Sequence, residues 1–130
     1  MTIVCVDDHP VTLKGLTQNI HKILPEASTH AFRSVQEAFD FVKENGCDVL
    51  ITEIEIHGTD GLGLARKVKA LNPSVNVIFL TVCDEKEHAR EVFDVRPSGY
   101  LVKPAGEEQL AFELNNLRYR TPYSTQSTVS

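Results

Sequence analysis

Short runs dominated by apolar residues, the first of them wholly apolar, recur along this chain, and each halts at a polar residue. Ile3-Val4-Cys5-Val6 stops at Asp7-Asp8, Val49-Leu50-Ile51-Thr52 at Glu53, Val75 to Leu80 at Thr81, and Tyr100-Leu101-Val102 at Lys103-Pro104. A strand wetted on one face alternates apolar and polar residues, so a run with no polar face belongs to a strand covered on both sides. Thr29 to Phe32 is a weaker strand candidate. Helical spacing fills the intervals. Pro10 sits where a first turn tolerates it, and Leu13, Leu16, Ile20 and Ile23 follow up to Pro25. Ser34 and Glu37 have capping-box spacing, and Val35, Ala38, Phe39 and Val42 form one stripe before Asn45-Gly46 closes the helix. Leu64, Val68 and Leu71 mark a third helix that Asn72-Pro73 ends. Asp84 is placed to cap a fourth, with Glu87 three residues on and Ala89, Val92 and Phe93 directed inward, while Leu110, Leu114 and Leu117 give the last. Parallel neighbours need crossover connections, which helices supply. The expectation is an α/β fold: a single doubly wound parallel sheet of five strands with five helices over its two faces.

With 130 residues, 42% of them hydrophobic and 24% charged, the chain has the size and mix of one soluble domain. The pattern ends at Leu117, so residues 1–118 are assigned to the domain. Residues 119–130, rich in Ser and Thr, are assigned to a flexible tail or the start of a linker. A formal net charge of -5 argues against this domain gripping nucleic acid through its phosphates. No apolar run approaches the roughly 20 residues that span a bilayer, and no basic leader precedes the first strand, so neither a membrane nor secretion is expected. Cys5, Cys47 and Cys83 are an odd set without metal-ligand spacing, which suits a reducing cytoplasm.

The polar stops share one place in the pattern, the carboxyl end of a strand. In an open parallel sheet those ends face one edge, where ligands bind at the switch in strand order. Asp7, Asp8, Glu53, Thr81 and Lys103 are thus expected to converge. Two like charges about 4 Å apart repel by roughly 4 kcal/mol at an effective dielectric of about 20. Three carboxylates in one hollow therefore need a cation or raised pKa values. Oxygen donors suit Mg²⁺, while Thr81 and Lys103 supply the hydroxyl and the point charge that a phosphoryl group would use. The ordinary alternative is that Asp7-Asp8 caps the first helix, Thr81 ends a strand and Lys103 pairs one carboxylate. All of them at successive strand ends favours a site.

The segments Val6-Asp7-Asp8-His9-Pro10, Asp48-Val49-Leu50-Ile51-Thr52-Glu53, Gly58-Thr59-Asp60-Gly61-Leu62, Phe79-Leu80-Thr81 and Gly99-Tyr100-Leu101-Val102-Lys103-Pro104 resemble the receiver domain of bacterial two-component response regulators. The stretch from Phe93 to Arg118 is similar to receivers joined to transcription-factor output domains. The resemblance implies a flavodoxin-like, CheY-like fold of strand order 2-1-3-4-5. It implies that Asp7 and Asp8 hold Mg²⁺ with the carboxylate at position 53 and the backbone carbonyl of Glu55. Thr81 would be the hydroxyl that turns toward a phosphoryl group, Lys103 its contact and Tyr100 the aromatic switch. It further implies a sensor histidine kinase as phosphate donor and an output domain or second receiver as partner. A homodimer would form through the fourth helix, fifth strand and fifth helix, with Ala89, Val92, Tyr100 and Leu110 contributing.

Position 53 departs from the family. It holds glutamate where an aspartate would accept phosphate, and Ile56-His57-Gly58 replaces the usual Met-Pro-Gly. One extra methylene displaces the attacking oxygen by more than about 1 Å, and misplacement on that scale costs roughly a hundredfold in rate. The longer carboxylate is instead expected to reach toward Thr81 and Lys103 and imitate part of a phosphoaspartate's charge, with Mg²⁺ binding weakened. Such a receiver would signal without phosphorylation and would not be an enzyme. A small Mg²⁺-dependent phosphohydrolase would use the same acidic cluster, but the chain lacks a lid and places its aspartates adjacently. A flavin binder is disfavoured by Asp-Asp-His-Pro where a phosphate cradle would stand. His9 is read as a turn residue in preference to a phosphoryl or metal neighbour, and His57 as an exposed loop residue in preference to one that tunes the site's charge near neutral pH. Cys83 is read as bordering the site, and Cys5 as a small buried strand residue. Lys86, Arg90 and Arg96, interleaved with Glu85, Glu87 and Glu91, read as a solvated helix face.

Overall fold

In the computed structural model, residues 1–56, 59–81 and 89–119 are described. Their elements run β1 (Thr2–Val6), α1 (Pro10–Ile23), β2 (Ser28–Phe32), α2 (Val35–Asn45), β3 (Val49–Glu53), β4 (Glu55–Ile56), β5 (Thr59–Asp60), α3 (Gly61–Leu71), β6 (Asn76–Thr81), α4 (Ala89–Val95), β7 (Gly99–Val102) and α5 (Glu107–Asn115). Five strands form one parallel sheet in the order β2-β1-β3-β6-β7. This is the expected order, with β4 and β5 set aside because they pair only with each other, as an antiparallel hairpin. The sequence reading had a plain loop there. His57, Gly58, Cys83, Asp84, Glu85, Lys86, Glu87 and residues 120–130 lie outside the described residues, as does the side chain of Ala89.

Strand side chains alternate between two cores. Val4, Val6, Leu50, Val77 and Phe79 face α2, α3 and α4, meeting Ala38, Val42, Leu64, Ala65, Val68, Val92 and Val95. Ile3, Cys5, Val49, Ile51, Ile78, Leu80 and Leu101 face α1 and α5, meeting Leu13, Leu16, Ile20, Leu110 and Leu114. This is why the strands lack a polar face: both sides are packed. The punctuation works as read. Ser34 Oγ accepts from the Glu37 N–H at 3.3 Å, and Gly46 ends α2 at φ 74°, a conformation glycine adopts without steric cost.

Three expectations are corrected. Phe93 does not point inward: it is 77% exposed, because Val92 and Val95, three positions apart, carry the buried stripe of α4. Val92 and Leu110 are buried in the two cores, so neither can contribute to a contact surface. Tyr119, assigned to the tail, has both its backbone N–H and its C=O bonded to the side chain of Asn76.

Candidate functional site

Register fixes the site. Val6 lies beside Thr52 and Glu53 beside Leu80, so Asp7 leaves β1 next to the end of β3. Thr81 lies beside Val102, and the Lys103 N–H donates to the Thr81 carbonyl at 2.8 Å, which carries Lys103 to the same edge. Asp7, Asp8 and Glu53 are all buried there. Helix α3 seats the end of β3 from below. A Cβ on Gly61 would stand 1.9 Å from the Glu53 carbonyl oxygen, so only glycine allows this approach.

A lysine and a histidine ring answer the crowded carboxylates. Lys103 Nζ lies 2.7 Å from Asp7 Oδ2 and also contacts Glu53 Oε1. The His9 N–H donates to Asp7 Oδ1 at 2.9 Å, closing a turn that brings its ring over the cluster. His9 Nδ1 stands 3.0 Å from Asp7 Oδ1, 2.9 Å from Asp8 Oδ1 and 3.8 Å from Glu53 Oε1. Arg33 Nε donates to the Asp8 carbonyl at 3.2 Å on the rim. Burial alone would push the Asp7 carboxyl up. The Lys103 bond, the His9 contacts and the Lys103 charge together outweigh it and hold Asp7 below its ordinary value.

The expected residues divide accordingly. Asp7, Asp8, Glu53 and Lys103 come together, and Thr81 ends β6 on the same edge. Tyr100 stands away from the acids, half exposed, its ring stacked 6.4 Å from that of Phe79. The Glu55 side chain is exposed on β4. His9 corrects the reading as a simple turn residue: the turn is real, and it aims the imidazole at three carboxylates. The pattern Asp-x-His before Pro10 carried the signal, since an Asp side chain bonding the N–H two residues on orients that residue. Elsewhere, burial pushes up the thiol pKa of Cys5, and burial with Asp48 nearby pushes that of Cys47 up to about 12, leaving both inert.

One donor atom each from Asp7, Asp8, His9 and Glu53 lies within 4.8 Å of the others. Three carboxylate oxygens in a buried hollow fit a hard divalent cation, which would offset charge that Lys103 now partly balances. Among the described residues, no helix is long and apolar enough to cross a membrane.

Residues 3–115 match the response regulator receiver domain family, and the chain belongs to it. It is 30% identical over 116 residues to the uncharacterized transcriptional regulatory protein YesN of Bacillus subtilis, covering 88% of this chain and 32% of that protein. It is 24% identical over 128 residues to the response regulator GacA of Pseudomonas aeruginosa, covering 95% of this chain and 60% of GacA. The chain thus spans from about a third to three fifths of these relatives. A solved receiver domain protein from Clostridium thermocellum shares the fold with a TM-score of 0.80 at 21% identity, covering 99% of this chain and 98% of that one.

Proposed function

We propose that this receiver signals without a phosphoryl group, Glu53 standing in for the phosphorylated aspartate. The observation that carries the reading is Lys103 Nζ held between Asp7 and Glu53. The extra methylene of Glu53 delivers negative charge to the lysine that a phosphoryl group would otherwise engage. A two-state domain needs only a few kcal/mol of differential stabilisation to change its dominant form. Asp7, Asp8 and Glu53, with the Glu55 carbonyl, are the ligands assigned to Mg²⁺, bound weakly because Lys103 already compensates two of the carboxylates. Thr81 and Tyr100 keep the switch roles that family membership gives them.

The output is read as transcriptional, in the cytoplasm, through contacts with an output domain or a second receiver. Two named relatives, YesN and GacA, support it as regulators longer than this chain. The contact face is α4-β7-α5, where Phe93, Tyr100, Val102 and Phe112 are exposed. A sensor histidine kinase is a partner only if Glu53 still accepts phosphate. Titration of Mg²⁺ with and without beryllofluoride, followed by NMR shifts, tests the reading in the unmodified chain and in Glu53→Asp. Mimic-dependent shifts are expected in the aspartate variant alone. Equal responses in both, or acetyl-phosphate labelling of Glu53, would restore ordinary phosphoryl signalling.

A further inference from the structure

Strand β6 reads Asn76-Val77-Ile78-Phe79-Leu80-Thr81, and its first five residues are buried. Asn76 is the polar residue among these five, fully inaccessible to solvent. A buried primary amide without partners is costly, so the bonds it makes explain why it is tolerated. Its backbone N–H is bonded to the Asp48 carbonyl at 2.9 Å, as part of the edge between β3 and β6. Its side chain is directed elsewhere. Asn76 Oδ1 accepts from the Tyr119 N–H at 2.7 Å, and Nδ2 donates to the Tyr119 carbonyl at 3.0 Å, with a longer contact of 3.4 Å to the Asp48 carbonyl. One amide thus satisfies both backbone groups of one residue, as a neighbouring strand would.

Two further contacts hold the same stretch. The Arg118 N–H donates to Ser98 Oγ at 2.8 Å. Lys69 Nζ lies 4.3 Å from the centroid of the Tyr119 ring and is itself fixed by the carbonyls of Pro73 at 2.8 Å and Val75 at 3.2 Å. The partners of Arg118 and Tyr119 come from the end of α3, the approach to β6 and the approach to β7. All lie at the amino edge of the sheet. Thr81, at the far end of β6, is about 17 Å away at the rise of a strand.

We infer that the amino end of β6 is a docking slot for the chain leaving the domain, with Asn76 as its anchor. Tyr119 is held at the edge opposite the acidic site, fixed to the strand that ends in Thr81. Unlatching frees Arg118 and Tyr119, lengthening any tether by about 7 Å, while Leu117 stays packed on the core. Asn76 is a positioning residue: it sets the exit and the reach of the chain and touches nothing in the acidic cluster.

Tryptic cleavage after Arg118 reads the latch directly. The unmodified protein should be cut there slowly. Asn76→Ala should be cut about tenfold faster or more, as expected when a local opening replaces a closed state. Tyr119→Ala keeps the backbone bonds and should stay close to the unmodified rate. Amide exchange of Tyr119 in the unmodified protein decides the matter even if Asn76→Ala fails to fold, with protection comparable to α5 expected. Exchange or cleavage at the rate of a free peptide of the same sequence would overturn the slot. So would an Asn76→Ala protein that is folded by circular dichroism yet cut no faster, or a Tyr119→Ala protein cut as fast as Asn76→Ala.

Discussion

Lys103 serves two carboxylates at once, and that decides what its removal does. Lys103→Met leaves Asp7 and Glu53 facing each other and Asp8 in a buried hollow. Removing one partner of a fully buried pair costs about 3–5 kcal/mol, and this lysine keeps some exposure, so a loss of about 2–3 kcal/mol is expected at pH 7 in urea unfolding. The pH dependence follows from Asp7, whose folded pKa lies below the ordinary 3.8. Ionised Asp7 contributes stability that is complete above that value and lost as pH falls through the folded one. Without Lys103 the folded value moves upward, so acidification below pH 4 should cost the variant less than the parent. A parallel acid-side loss in both proteins would show that Lys103 does not set the Asp7 ionisation. His9 was weighed as a neighbour of the site and set down as a turn residue, because its importance lies in a direction, not a composition. The Asp-x-His spacing signals the turn, but that the turn points the ring at three carboxylates is visible only in coordinates.

At the scale of elements, α3 and β3 are locked by a missing side chain. Gly61→Ala must displace the α3 start or the Glu53 carbonyl, because the added carbon would sit 1.9 Å from that oxygen. Overpacking of this kind costs about 1–3 kcal/mol, here with the backbone of Glu53 shifted as well. The urea midpoint should fall and the Lys103 side-chain NMR signals should move; unchanged Lys103 signals would separate α3 from the site. The central strands β1, β3 and β6 were legible because both faces are buried and, Thr52 and Asn76 apart, their runs are apolar. The β4-β5 hairpin was not, since two-residue strands show no period. Phe93 misled because α4, at seven residues from Ala89 to Val95, offers one buried stripe, and Val92 and Val95 fill it. Tyr119 was illegible for another reason: its partner lies 43 residues earlier, and no local pattern joins them.

For the whole molecule, the two cores share one sheet, so neither can melt while the other persists. Val68→Ala on the α3 side and Leu114→Ala on the α5 side should each lower a single cooperative transition, by about 2–5 kcal/mol for the leucine and less for the valine. Far-UV circular dichroism and tyrosine fluorescence should coincide in both variants; separated transitions would mean the faces unfold independently. The acidic hollow hangs from the ends of those strands, outside both cores. The hydrophobic packing beneath it is therefore built from other residues than the ones that give the hollow its charge. A rim residue such as Lys103 must hold its neighbours' charge as well as carry any message, so a substitution there is read in stability and in signalling separately.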